Sequence, residues 1–287
     1  MGLFSFNYAK PGPGVEKDAP KKKGIFLYFE LLGRKFFKLC QVNMLYFLCS
    51  IPYLVLMFLL ITGMFGSNFG KIMDLLAVEG ASDETVSTVM LMLSSCITML
   101  VYALWGSGPA SASFAYVTRC FTREEHSWIL SDFFKIFKEN FKQGMIMVVV
   151  DFVAFFLMLN AIVMYWNMYV QNNQFMYMLL AYFCVMMFII YTFMHFHIYQ
   201  LMVTFKCTFR QLLKNALMLA FGKAPMNLLL AVISGGLVFV LFNFPLNPVF
   251  AIFVCFLVYL GLVRYPLEFY SARTIQRVAV ELREDKE

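Results

Sequence analysis

The stretch WGSGPASASFAYVTRCFTREEHSWILSDFFKIFKENFKQ, Trp105 to Gln143, decides how this chain is read. Its first part, with Gly106, Gly108, Pro109 and Ala110 followed by Ser, Ala and Ser, closes a long apolar run. Side chains this small let helix backbones approach closely in lipid. Its last part sets Phe133, Phe134 and Phe137 among Lys135, Lys138 and Lys142. Phe and Lys interleaved at helical spacing suit a helix lying on a membrane surface, rings among acyl chains and ammonium heads in water. The stretch therefore predicts a helix-packing seam followed by a cytoplasmic elbow.

The composition agrees. The chain is 61% hydrophobic and 14% charged, too few polar residues to cover an aqueous fold of 287 residues, so an integral membrane protein is expected. Seven scattered cysteines without a CxxC pair indicate neither a disulfide framework nor a metal site, and read as small core residues. Phe6 stands where an N-myristoylation motif needs Ser or Thr, which excludes that anchor.

Residues 1–23, with five Pro and Gly between Pro11 and Pro20, read as a flexible cytoplasmic tail. From Gly24 to Gln41, Phe26, Phe29, Leu32, Phe36 and Leu39 recur opposite Arg34, Lys35 and Lys38, the pattern of an interfacial amphipathic helix. Six apolar runs follow, at about 42–64, 89–117, 144–165, 175–203, 225–242 and 249–263, each read as a crossing. Ser50 and Pro52 are expected to kink the first, and Gly106, Gly108 and Pro109 to bend the second. A charged, helix-prone cytoplasmic tail, 265–287, ends the chain.

Lys and Arg settle the expected orientation. All but Lys71 fall in the N-terminal segment, the two loops around 119–143 and 204–224, or the C-terminal tail. The positive-inside rule then puts both termini and both loops in the cytoplasm, which demands an even number of crossings. The net charge of +6 is thereby explained by topology and attraction to anionic lipid headgroups, and nucleic-acid binding is set aside. Aromatic and basic segments opening at Phe29, Phe133 and Phe209 each precede two apolar runs. The fold expected is an all-α membrane protein, six spans in residues 24–264, built from three elbow-plus-hairpin units.

Three segments carry a resemblance: NMLYFLCSIP from Asn43, GPASASFAYVTR from Gly108 and DFFKIFKENFKQG from Asp132. Their order and company resemble the YesL-like family of bacterial membrane proteins, a domain of unknown function. This chain departs from shorter members in the long insertion between Tyr53 and Ser107. The resemblance implies a multi-pass protein of the bacterial cytoplasmic membrane, encoded beside carbohydrate ABC importers, and an accessory role with their permease subunits. It transfers no catalytic residue.

The residues themselves point to no reaction. Neither a P-loop nor a Ser-His-Asp, metal or paired-carboxylate constellation can be assembled, so no enzyme activity and no cofactor are expected. Asp151 is the one acid well inside a run, and an ionisable group at that depth must face protein or water. His195 and His197 lie at similar depth on the next run, so Asp151 is expected to pair with one of them, or with Tyr191 or Gln200. A polar clasp between spans is the plainer use of such a pair; a proton or solute path is the other. Phe133, Lys135 and Lys138 in one elbow, and Arg210 and Lys214 in the second, are candidates for surface contacts. They suit lipid headgroups, or, for the second elbow at 205–223, an ATPase if the chain is itself a permease. A stand-alone channel or transporter remains the third reading.

Overall fold

The computed structural model describes residues 24–65, 89, 108–243 and 260–284, all helical apart from short connections. The tail 1–23, the loop after Phe65, the apolar run up to Ser107 (with Gly106) and the run from 249 to 259 lie outside the described residues. Eight helices are described: α1 (Ile25–Phe65), α2 (Pro109–Thr122), α3 (Ile129–Glu139), α4 (Phe141–Asn172), α5 (Phe175–Thr204), α6 (Phe209–Gly222), α7 (Ala224–Asn243) and α8 (Leu260–Glu284).

The small-residue segment becomes the hub. Pro109 begins α2, where its missing N–H is no loss, and Gly108 before it takes a φ of 93°, a region open to glycine. Twelve of the fourteen α2 residues are buried, and α1, α3, α4, α5 and α8 all pack on this helix. Ala110, Ser111, Ala112, Ser113 and Ala115 make that possible, because a helix surrounded on every side needs short side chains. The helix does not stop at Val117, as expected from hydropathy. It continues to Thr122, with the threonine hydroxyls folded back onto their own helix, Thr118 to Phe114 O at 2.9 Å and Thr122 to Thr118 O at 2.9 Å.

The expected surface helix and first crossing are one continuous helix, α1, which runs through Pro52. Its inward face differs from the expected one. Leu27, Leu31, Leu39, Val42 and Tyr46 are buried, while Phe26, Phe29 and Phe37 point outward. Apolar residues cover more than one face of α1, and helical spacing alone does not rank them. The Leu face wins because it meets Tyr265 and Phe269 of α8 and Phe114, Val117 and Phe121 of α2 in one core. Lys35 falls on this inward face and places its ammonium 5.9 Å from the centre of the Phe121 ring. Burial, with Lys38 and Arg34 nearby, lowers the pKa of that ammonium.

α4 and α5 form a hairpin whose turn is made by Asn173 in the left-handed region, φ 51°, a conformation asparagine tolerates. Each has the length and apolar composition to cross a membrane; at 1.5 Å per residue they extend about 48 and 45 Å. Their outer surfaces carry Val149, Val153, Leu157, Leu179, Phe183 and Met186, all exposed. α6 opens with a capping box between Thr208 and Gln211 and meets α7 at a bend of 91° around Lys223. Counting that pair as one broken span, three described segments suit a crossing. The chain is thus a membrane-spanning protein, helical in its described residues apart from short connections.

The C-terminal segment departs most from its sequence reading. A helix runs unbroken from Leu260 through Pro266 to Glu284. Arg264, Tyr265, Glu268, Phe269, Ser271, Ala272, Thr274 and Ile275 are buried. The first part of what reads as a charged tail, as far as Ile275, is an inner wall of the bundle. The physical reason is periodicity: these positions recur every three or four residues on one stripe, and their two charges neutralise each other.

Candidate functional site: a buried polar network around α5

Ten residues of α5 are buried, and eight of them run without a break from His195 to Met202, which includes both histidines and Gln200. An α-helix turns 100° per residue, so side chains two apart face opposite ways. His195 and His197 therefore cannot serve the same partner. Tyr191, His195 and Tyr199, spaced by four, look towards α4 and the start of α2. His197 and Gln200 look towards α7 and α8.

On the first face, Asp151 is fully enclosed. The Tyr191 hydroxyl donates to its Oδ1 at 2.5 Å, and His195 Nε2 lies 3.2 Å from its Oδ2. One turn further along, the Tyr199 hydroxyl accepts the Gly108 N–H at 2.8 Å, which satisfies an orphan donor at the head of α2. The same corner holds a close backbone contact. A Cβ on Gly144 would stand 2.6 Å from Pro109 N and 2.9 Å from Pro109 Cα, and one on Gly108 would stand 2.9 Å from Val148 Cγ2. Gly108, Pro109 and Ala110 are thus all buried in the seam where α2 and α4 meet.

The second face is built on α8. Arg264 donates to Glu268 at 3.0 Å and to the Ser111 hydroxyl at 3.1 Å, with its guanidinium carbon 4.9 Å from the ring centres of both Tyr46 and Phe114. Gln200 Nε2 donates to the other Glu268 oxygen at 2.7 Å and to Ala115 O at 2.8 Å. His197 bridges Ser271 at 2.9 Å and Asn227 at 3.1 Å. Asn227 uses its amide nitrogen on Leu219 O and Ala220 O at the end of α6, so its oxygen faces the imidazole and accepts the hydrogen bond of Nε2–H. His197 Nδ1 is left to accept the Ser271 hydroxyl. At the end of α5, Arg119 closes the helix by donating to Val203 O at 2.8 Å and to the Thr204 hydroxyl at 3.0 Å.

The structure therefore brings Asp151, Tyr191 and His195 together and places His197 and Gln200 in a separate part of the network. The elbow residues also divide. Phe133 is fully buried and its carbonyl accepts the Ser113 hydroxyl at 2.9 Å. Lys135 and Lys138 lie on the opposite, outward side with Trp128, Leu130 and Phe134. Arg210 and Lys214 are exposed on α6. Arg264, Glu268, Ser271 and Asn227 are not among the candidate site residues of the sequence reading. The available signal is Arg264 and Glu268 four apart, an ion-pair spacing, among aromatic residues on one helical stripe.

A membrane-spanning helical bundle with a buried polar network defines the class of protein. Within the chain, residues 39–162 match a family described as a protein of unknown function, DUF624. The matched region runs from α1 to Ile162 of α4, so it includes Asp151 and the Gly108–Gly144 seam but not His195, Arg264 or Glu268. No curated protein and no solved structure matches the chain.

Proposed function

We propose that the chain is an accessory integral-membrane subunit of a bacterial carbohydrate ABC importer, with six crossings and both termini in the cytoplasm. It would bind the permease subunits through the outward faces of α4 and α5 and stabilise or regulate their assembly, without a reaction of its own. One observation supports a packing role above all: the inner and outer sides of α4 and α5 are used oppositely. Inside, Asp151, Tyr191, His195, His197 and Gln200 bond to neighbouring helices. Outside, Val149, Val153, Leu157, Leu179, Phe183 and Met186 present an apolar surface. Lipid and a partner helix can both cover such a surface, since association in lipid depends on shape and close packing. The importer itself comes from the resemblance to YesL-like proteins.

Affinity capture of the tagged protein from its native membrane in mild detergent, followed by mass spectrometry, tests this reading. Stoichiometric recovery of two sugar permeases is the expected result. Recovery of this chain alone under progressively milder extraction would refute it. The buried acid–base pair Asp151–His195 favours a second reading, a transporter acting by itself, whose signature is solute or proton flux in liposomes that contain only this protein.

A further inference from the structure

Helix α3 carries large apolar side chains on both of its sides. Phe133 and Ile136 are buried, Phe133 in the core shared by α1, α2 and α8, and the Ser113 hydroxyl of α2 donates to the Phe133 carbonyl. On the other side Trp128, just before the helix, Leu130 and Phe134 are 72%, 62% and 42% exposed. With Lys135 and Lys138 they line an open hollow of about 830 Å³. A helix that faces water gains nothing from three such groups outside. One that lies at a membrane surface sets them among acyl chains, while its lysine stems reach back to the headgroups.

Charge selects the kind of lipid. Glu124 is engaged by Arg34, Glu125 lies 3.7 Å from Arg123, and an Asp132 oxygen accepts the Trp128 N–H at 2.9 Å at the head of α3. Lys135 and Lys138 form no ion pair among the described residues, and Glu139 stands outside the hollow. Three residues apart on one helix, the two lysines are neighbours, and both line the hollow. Two positive charges so placed match a headgroup of net negative charge, whereas a choline headgroup would bring a third positive charge beside them. Position agrees with charge. Asn140 alone separates α3 from α4, and the exposed Phe141, Met145 and Val149 begin the apolar surface of that membrane-crossing helix. A lipid whose chains pack on that surface has its headgroup beside the hollow.

We infer that the outer face of α3, made by Trp128, Leu130, Phe134, Lys135 and Lys138, is a binding site for one anionic phospholipid of the adjoining leaflet. The two ammonium groups hold its phosphate, and the apolar side chains cover the first part of its acyl chains. Because Phe133 on the opposite face is fixed to α2, an occupied site fastens the hub helix of the bundle to the membrane surface. The site does not rest on the importer reading, since such a lipid surrounds the protein whether it assists a permease or acts alone.

Native mass spectrometry of the full-length protein in a neutral detergent counts bound lipid as phosphatidylglycerol or phosphatidylcholine is added. One phosphatidylglycerol per chain should bind ahead of phosphatidylcholine. Lys135→Gln combined with Lys138→Gln should weaken that binding by about 30-fold, each lysine at an anionic surface contributing about fivefold. Arg210→Gln combined with Lys214→Gln, both exposed on α6, removes the same charge elsewhere and should leave the affinity unchanged. Equal binding of the two lipids by the unmodified protein would overturn the inference, and that measurement needs no variant to fold. An equal loss from both variant pairs would overturn it too, by reducing the site to diffuse attraction, as would no loss from the α3 pair. Binding of a polyglutamate peptide to the α3 lysines in preference to phosphatidylglycerol would overturn it in favour of an acidic protein partner.

Discussion

Gly144→Ala adds one methyl group where α4 passes the head of α2, and its cost can be worked from the contacts. The new Cβ would lie 2.6 Å from Pro109 N, 2.9 Å from Pro109 Cα and 2.9 Å from Pro109 Cδ, against ordinary carbon contacts of about 3.5 to 4 Å. These are backbone and ring atoms, so no side chain can rotate away, and the two helices must separate by the better part of an ångström. Overpacking of this kind costs typically 1 to 3 kcal/mol, and a site walled by backbone belongs at about the upper end. Alanine's better helix propensity returns about 1 kcal/mol. The net loss is then about 2 kcal/mol, within the range that changes the folded-to-unfolded ratio by about 5- to 30-fold. Gly33→Ala in α1 is the matched control, because nothing lies within 4 Å of its added Cβ and only the propensity gain applies. Reversible denaturant titration of both variants in one lipid–detergent mixture measures the difference. If Gly144→Ala proved as stable as Gly33→Ala, the seam between α2 and α4 would not be a close backbone contact.

Other perturbations test the rest of the bundle. Removing one member of the buried pair, by Arg264→Met or Glu268→Gln, should cost about 3 to 5 kcal/mol, whereas Arg264→Met with Glu268→Leu should recover much of the loss; folded yield and denaturation midpoint read both. Phe133→Ala should destabilise by about 3 to 5 kcal/mol, because that ring is fully buried, while Phe134→Ala beside it should change stability little; the same titration compares them. Thr208→Ala removes the side chain that caps α6 and should cost about 1 kcal/mol, seen as faster amide exchange in the first turn of α6.

Hydropathy and small-residue content were enough to assign a helical membrane protein, a small-residue segment at Gly108–Ala110 suited to close packing and a basic, aromatic elbow from Ser131 to Gln143, although not the burial of Phe133 within it. Each of these follows from local composition and a 3.6-residue period, which depend on the chain alone. Asp151 was legible for the same reason, since one acid inside an apolar run is costly wherever the run lies. Its partner was not. The sequence offered two histidines, a tyrosine and a glutamine, and only the rotation of α5 against α4 selected Tyr191 and His195. Tertiary packing also turned the Leu face of α1 inward and left Phe26, Phe29 and Phe37 outside, a choice between apolar faces that periodicity cannot rank. The largest reversal is α8, where Arg264 and Glu268 read as tail charges. A charge in isolation belongs in water, and burial becomes tolerable only once its counter-charge, Ser111, Gln200 and two aromatic rings stand around it, which no single segment of the chain contains.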